Sequence, residues 1–214
     1  MARVSQEHLD ARRRQILDGA RRCFARNGFH ATSMQDVLGE VGLSAGAVYR
    51  YFRGKDEIVT AVAAEALAAV RDAYNELTAE DRLPLPDEIF VGVLERVRGT
   101  FEGADDRTLP QLLLQVWGEA LRNPELAEVM REAYQDLLGR WRRLVEDYQE
   151  RGWLDPEASA EEVARTLVAT VQGYFVQQAL FGGLGPEDFR RGMRGLLTLN
   201  PVEEGDGSAG PAGS

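Results

Sequence analysis

The 214-residue sequence has few of the residues on which several protein classes depend. It has one cysteine, Cys23, so an internal disulfide framework is excluded and a reducing compartment is indicated. Its only histidines are His8 and His30, and no His, Cys and acidic residues share the spacing of metal ligands. No Gly-rich phosphate-binding loop follows a strand pattern. These absences argue against an enzyme and predict that no cofactor or metal is bound.

Long hydrophobic runs are also missing. No apolar segment approaches the roughly 20 residues that a membrane helix needs. The first residues, MARVSQEHLDARRRQ, are polar and lack the apolar core of a secretory leader. We therefore expect a cytoplasmic protein that does not contact a membrane.

Positive charge is scarce overall but concentrated near the start of the chain. The net charge is −10, yet residues 1–55 contain ten basic and five acidic residues, against fifteen and thirty in residues 56–214. Lys55 is the only lysine. A basic first quarter in an acidic chain predicts that any polyanion contact is local to it. The arginines of the first helix are equally compatible with an ordinary solvated face.

The hydrophobic periodicity predicts helices throughout and no strand. A first helix covers about 6–27, with Gly28 as its left-handed C′ residue. A second begins at Thr32 or Ser33, and Ser44 caps a third over about 45–51. Two short helices joined by a tight turn containing Gly42, behind a longer helix, form a helix-turn-helix.

The third helix has an unusual composition, SAGAVYRYFRGK over 44–55. Its start carries only small side chains, so its backbone can approach a groove closely, and a helix N-terminus favours phosphate. Tyr49, Arg50 and Tyr51 cannot all point inward on so short a helix. Hydroxyl and guanidinium groups hydrogen-bond phosphates and base edges, which indicates DNA binding.

The run ILDGARRCFARNGFHATSMQDVLGEVGLSAGAVYRYFRGKDEIV resembles the DNA-binding domain of the TetR family of bacterial transcriptional regulators. The shared features are Gly-Phe after helix 1, Thr-Ser before helix 2, Val-Gly-Leu-Ser in the turn, Val-Tyr-Arg-Tyr-Phe, and Gly-Lys-Asp-Glu at helix 4. The resemblance implies that Ser33, Tyr51 and Lys55 contact phosphates, that Gln35, Ala45, Gly46 and Tyr49 face base edges, and that Arg50 does either. Ala45 and Ala47 offer only apolar contact where the family often has a polar residue, which favours readout of DNA shape or through water.

The rest of the chain predicts a larger helical domain. A helix without Gly or Pro runs over 55–77, others begin near Pro86, Pro110 and Pro124, one runs from about 160 to 181, and a last one follows Pro186. The fold class is thus all-α, with domains 1–54 for DNA binding, 55–201 for ligand binding and dimerisation, and a disordered tail, 202–214.

The resemblance implies a small-molecule sensor and a homodimer. The inward stripes of the middle helices supply the candidate ligand-binding residues, which are Phe90, Leu94, Trp117, Leu121, Tyr134, Leu137, Trp141 and Tyr174. The helix that ends near 181 is apolar beyond one core stripe, which indicates a partner surface, and the final helix supplies a second. The candidate dimer residues are Val168, Val171, Phe175, Val176, Phe189, Met193, Leu196 and Leu197.

Together these patterns predict a repressor that binds a near-palindromic operator as a dimer and is released by an apolar or aromatic effector. One alternative is a DNA-bound regulator without a small-molecule ligand that a protein partner controls. A second is that the aromatic stripes are core alone. Cys23 in mid-helix is more typical of a small core residue than of an oxidant sensor.

Overall fold

The computed structural model describes residues 6–79, 82–99 and 107–197. These ranges form helices and contain no strand, so the predicted all-α fold is confirmed. The predicted tail, 202–214, lies outside the described residues. In chain order the helices are α1 (Gln6–Ala31), α2 (Met34–Val41), α3 (Ala45–Tyr49), α4 (Lys55–Leu77), α5 (Pro86–Arg98), α6 (Thr108–Ala120), α7 (Pro124–Glu150), α8 (Ala160–Leu180) and α9 (Pro186–Leu197).

Side-chain caps set the ends of the short helices. The Ser33 hydroxyl accepts a hydrogen bond from the Asp36 backbone N–H, and the Asp36 carboxylate accepts one from the Ser33 N–H, which completes a capping box. Gly42 ends α2 with a left-handed φ of 65°, and Ser44 caps α3 through the Ala47 N–H. The turn between α2 and α3 is therefore fixed at both ends by local chemistry.

The first helix continues beyond its predicted end. It reaches Ala31, but Gly28 interrupts it with φ 75° and ψ 168°, a combination that is essentially restricted to glycine. Gly28 was expected to adopt the left-handed helical conformation, and its ψ shows that it does not. The extended backbone turns Phe29 back against Phe24, with ring centroids 4.8 Å apart.

One hydrophobic cluster holds α1–α3 together and extends beyond them. Ile16, Val37, Val48 and Ile58 are fully buried in it. The same cluster includes Leu112 and Val116 of α6 and Leu126 of α7. The first three helices, called the head below, therefore share a core with α4, α6 and α7, which are part of the body formed by α4–α9.

Helix α4 connects the head to the body. Its first turns contribute Ile58, Val59 and Val62 to the head core, and three turns later Tyr74 packs edge-on against Trp141 of α7. The Tyr74 hydroxyl donates to the Arg140 carbonyl at 3.1 Å, and burial raises the pKa of Tyr74 to about 12. None of the helices in the described ranges has the length and hydrophobicity of a membrane span.

Candidate nucleic-acid interface and internal cavity

Helix α3 is held by one buried residue and presents most of its other side chains to solvent. Val48 is fully buried in the head core, whereas Ala45 and Gly46 are exposed at the first turn. Tyr49 is 48% exposed and Arg50 is also exposed. The outer face of α3 therefore combines a slim start with one phenol and one guanidinium, as the sequence predicted. These are groups that can donate hydrogen bonds to phosphate or base edges.

The candidate DNA-binding residues on α2, at its cap and after α3 are not all free to contact DNA. Gln35 is exposed, but the Ser33 hydroxyl donates to the Asp36 carboxylate at 2.6 Å. These bonds from the Ser33 hydroxyl and backbone N–H lower the pKa of Asp36. Tyr51 is half-buried and packs against the head core. A phosphate contact by Ser33 would have to share its hydroxyl with the cap.

Lys55 stands at the first position of α4 and is half-buried. Its Nζ donates to the carbonyl oxygen of Phe29 at 2.9 Å. A lysine ammonium carries three donors, so this bond orients the group and leaves donors for another partner. The only lysine of the chain is thus fixed against the end of α1.

Four of the six arginines of α1 form ion pairs with acidic residues of other helices. Arg22 and Arg26 both bind Glu40 of α2, at 2.7 and 2.5 Å, and their hydrogen bonds lower the pKa of Glu40. Arg13 and Arg21 both bind Glu65 of α4. These arginines of α1 therefore join helices of the protein. From the sequence alone, they are interpreted either as a contact to DNA or as a solvated face.

A cavity of about 250 Å³ lies inside the body and reaches the base of the head. Apolar side chains of α4–α8 form most of its wall, and Phe24 and Phe29 of α1 close its head end. Two polar residues, Arg21 and Gln172, also line it. Both phenylalanines belong to the head core, so the cavity and the head share part of their wall.

Six of the eight candidate ligand-binding residues line this cavity: Phe90, Leu94, Trp117, Tyr134, Leu137 and Trp141. Leu121 does not, and is 88% exposed, because α6 ends at Ala120 and the chain turns away. Tyr174 does not either. It is buried outside the cavity wall against Phe90, with ring centroids 4.9 Å apart, and against Phe189.

The contribution of the head to the cavity was missed at the sequence level. Phe24 and Phe29 read as core residues of a three-helix unit, and no local pattern shows that α6 packs against α1. The Gly28-Phe29 pair was the one available signal of this contribution. A glycine that breaks the helix points the next side chain away from the face that helical periodicity predicts.

The candidate dimer residues divide into two groups. Val168 and Met193 are buried within the chain, at 5% exposure each, so their assignment to an exposed dimer surface is corrected. Val171, Phe175, Val176 and Phe189 are partly buried, whereas Leu196 and Leu197 are exposed on α9. Leu180 and Phe181, at the end of α8, are exposed and were not predicted. On these two helices, the exposed large apolar residues therefore lie at the ends of α8 and α9.

Two family descriptions cover most of the chain. Residues 16–62 match bacterial regulatory proteins of the tetR family, and residues 95–198 match the C-terminal part of BetI-type transcriptional repressors.

Individual relatives agree with these matches. The HTH-type transcriptional repressor Rv1474c of Mycobacterium tuberculosis is 42% identical over 92 residues, which are 41% of this chain and 49% of that protein, so the chain spans about half of that relative. The HTH-type transcriptional regulator UidR of Escherichia coli K12 is 24% identical over 90% of this chain and 94% of its own length.

Solved structures share the whole architecture. Salmonella enterica GusR has a TM-score of 0.65 and 25% identity, over 92% of this chain and 99% of its own. A protein from Saccharomonospora viridis, solved in complex with choline, has a TM-score of 0.73 and 22% identity over 88% and 96%. The second likeness supports the fold alone.

Proposed function

Because the chain belongs to the TetR family of bacterial regulatory proteins, and is therefore a DNA-binding transcriptional regulator and not an enzyme, we propose that it is an effector-released repressor. In this proposal a homodimer binds a near-palindromic operator, and a small molecule in the cavity lowers its affinity for that operator. Residues 1–54 form the DNA-binding domain, and residues 55–201 form the domain for effector binding and dimerisation.

The outer face of the head is the proposed DNA surface. The exposed start of α3 enters the major groove, and the groups around it hold the phosphates on either side. The residues assigned to this surface are Ser33, Gln35, Ala45, Gly46, Tyr49, Arg50, Tyr51 and Lys55. Alanines at the groove offer apolar contact to thymine methyl groups, so DNA shape and bridging water contribute to specificity.

The observation that carries the effector proposal is the shared wall between cavity and head. Phe24 and Phe29 belong at once to the cavity lining and to the core that supports α3. A ligand that prefers a different arrangement of this wall shifts the population towards a state with its two heads out of register with the operator. A tenfold change in operator affinity requires a preference of about 1.4 kcal/mol.

The cavity favours a neutral apolar or aromatic effector. Among the described residues, its lining includes aromatic rings from six helices and no acidic residue, and the charged residue is Arg21. The choline of the Saccharomonospora protein is a cation, which aromatic rings attract. Here Glu65 already pairs with Arg21, and no carboxylate on the described wall would face a cation, so we propose a neutral compound. Trp117 and Tyr134 lie on the wall with polar atoms that can orient such a compound.

The homodimer is proposed to form through the ends of α8 and α9. Phe181 is 78% exposed and Leu196 is 66% exposed, which is unusual for large apolar residues unless a partner covers them. We expect Phe181→Arg combined with Leu196→Arg to give a monomer in analytical ultracentrifugation. The control is Leu121→Arg, which places the same charge on an exposed apolar position of α6 and should leave the dimer intact.

The test of function begins with selection of an operator from a random-sequence duplex library. Neutral aromatic and aliphatic compounds are then titrated against the complex, with choline as the cationic comparison. We expect a neutral compound to raise the operator dissociation constant at least tenfold. Replacement of Trp117 by alanine should weaken the response to that compound without changing operator affinity in its absence. A response to choline alone would contradict the proposed effector class.

A further inference from the structure

Phe29 contacts three parts of the molecule that matter for the proposed function. Its ring lines the cavity. Its backbone N–H donates to the side-chain carbonyl of Gln115 on α6 at 2.6 Å, and its carbonyl accepts from Lys55 Nζ at 2.9 Å. One residue therefore connects the cavity, the α6 wall and the proposed phosphate-binding lysine.

Gly28 makes the connection to α6 possible. A Cβ at this position would lie 2.8 Å from Gln115 Oε1 and 3.2 Å from Nε2, closer than van der Waals contact allows. The bare backbone of Gly28 therefore lets the Gln115 amide reach the Phe29 N–H. That N–H belongs to a residue beyond the kink in α1, so Gln115 provides a specific partner at this break.

The Gln115 side chain is attached to the cavity wall itself. Leu112 and Val116, on the same helix, both line the cavity and both belong to the head core. Because a helix moves largely as a unit, a displacement of these two residues also displaces Gln115. The hydrogen bond then transmits the displacement to the Phe29 backbone.

The other end of the connection is Lys55. The Lys55 ammonium has three N–H donors, and one of them is bound to the Phe29 carbonyl. This bond sets the direction of the other two. Lys55 is half-buried, so the surrounding protein restricts the positions that its side chain can take. If the Phe29 backbone moves, the ammonium loses the partner that orients it.

We propose that Gln115 is a positioning residue for Lys55, acting through the Phe29 backbone, and that this path links the wall of the cavity to a phosphate contact. The inference rests on the proposed function, because it requires Lys55 to contact DNA. It adds a route by which the cavity and the DNA surface are coupled, through α6 and the end of α1. Gln115 itself contacts neither the effector nor the DNA in this proposal.

The test is a double-mutant cycle on DNA affinity as a function of salt. Gln115→Leu keeps the bulk of the side chain and removes the acceptor. The DNA is a mixed-sequence duplex of about three helical turns, because phosphate contacts do not depend on sequence. We expect Gln115→Leu to weaken binding about fivefold and to lower the slope of log K against log salt by roughly one unit, as Lys55→Ala does. In the Lys55→Ala background, Gln115→Leu should then change affinity by less than about twofold.

Two further variants separate positioning from a general structural effect. Gln115→Glu retains an oxygen acceptor for the Phe29 N–H, so its salt slope should equal that of the wild type. Gln111→Ala changes an exposed glutamine one turn earlier on α6 and should leave both affinity and slope unchanged. Thermal unfolding of every variant shows whether the fold is retained.

The outcomes for the two proposals are distinct. If the wild type binds DNA and Lys55→Ala lowers the slope, but Gln115→Leu leaves it unchanged or acts additively with Lys55→Ala, the positioning role is wrong and the DNA surface stands. If Lys55→Ala itself leaves affinity and slope unchanged, the proposed phosphate contact fails, and the inference fails with it.

Discussion

The replacement Gly46→Ala should affect stability and DNA binding in opposite directions. Gly46 is exposed in the first turn of α3, and a Cβ built on it meets no atom within 4 Å. Its φ is not positive, so alanine can adopt the same backbone conformation. Within the protein, the extra methyl group therefore has room.

The gain in stability follows from helix propensity. Alanine is favoured over glycine in a helix by up to about 1 kcal/mol, and less in a first turn. For a chain of this size, 1 kcal/mol corresponds to about 2–4 °C in Tm. We expect an increase at or below this range, measured by circular dichroism. If the first turn of α3 lies close to the floor of the groove, the same methyl group keeps the helix further from the DNA. We then expect operator affinity to fall about tenfold, which is about 1.4 kcal/mol of binding free energy.

The control is Gly39→Ala on α2, where a Cβ also meets no atom within 4 Å and φ is likewise not positive. It should raise Tm to a similar extent without changing operator affinity, measured by fluorescence anisotropy. If Gly46→Ala binds the operator as tightly as the wild type while gaining stability, the close approach of α3 to DNA is refuted. A fall in Tm would instead contradict the open space around Gly46.

Three further predictions concern the fold. Arg194→Ala removes the arginine 2.7 Å from the buried carboxylate of Asp87, so we expect it to cost about 2 kcal/mol of unfolding free energy in urea. Arg191→Ala breaks exposed pairs and should cost less than about 0.5 kcal/mol, and equal losses would show that Asp87, which also pairs with Arg190, does not depend on Arg194. The lowered pKa of Glu40 contributes stability that is present above its ordinary value of 4.5 and is lost as the pH falls through the lower folded value. Glu40→Gln should therefore show a smaller drop in Tm on acidification than the wild type, and identical pH profiles would contradict the assignment. Gly28→Ala should lower the free energy of unfolding by about 1–3 kcal/mol, because φ 75° with ψ 168° is strained for alanine, and an unchanged urea midpoint would rule that strain out.

Local chemistry accounts for the parts of the fold that could be predicted from the sequence. Ser33, Ser44 and Gly42 act through their own caps and turn, so α2 and α3 follow from short patterns. Pro86 and Pro124 mark the starts of α5 and α7 in the same way. The periodicity of α4 needed no tertiary information either.

Tertiary packing determines what could not be predicted. Leu121 continues the face of Trp117 in a helical projection, but α6 ends before it, and only the path of the chain shows this. Val168 and Met193 have the hydrophobicity of interface residues, yet neighbouring helices of the same chain cover them. The hydrogen bond between Phe29 and Gln115 joins residues far apart in sequence, so no local pattern indicates it.

Binding to DNA as a function of salt tests the central claim most directly. The measurement is an anisotropy titration of the purified protein against labelled duplexes that flank its own coding region, at several salt concentrations, with mixed-sequence DNA as competitor. The account predicts one duplex that resists the competitor and whose log K falls with log salt at a slope of about −0.9 for each phosphate contacted. Absence of salt-dependent binding to these duplexes and to every duplex of a random-sequence library would contradict the account.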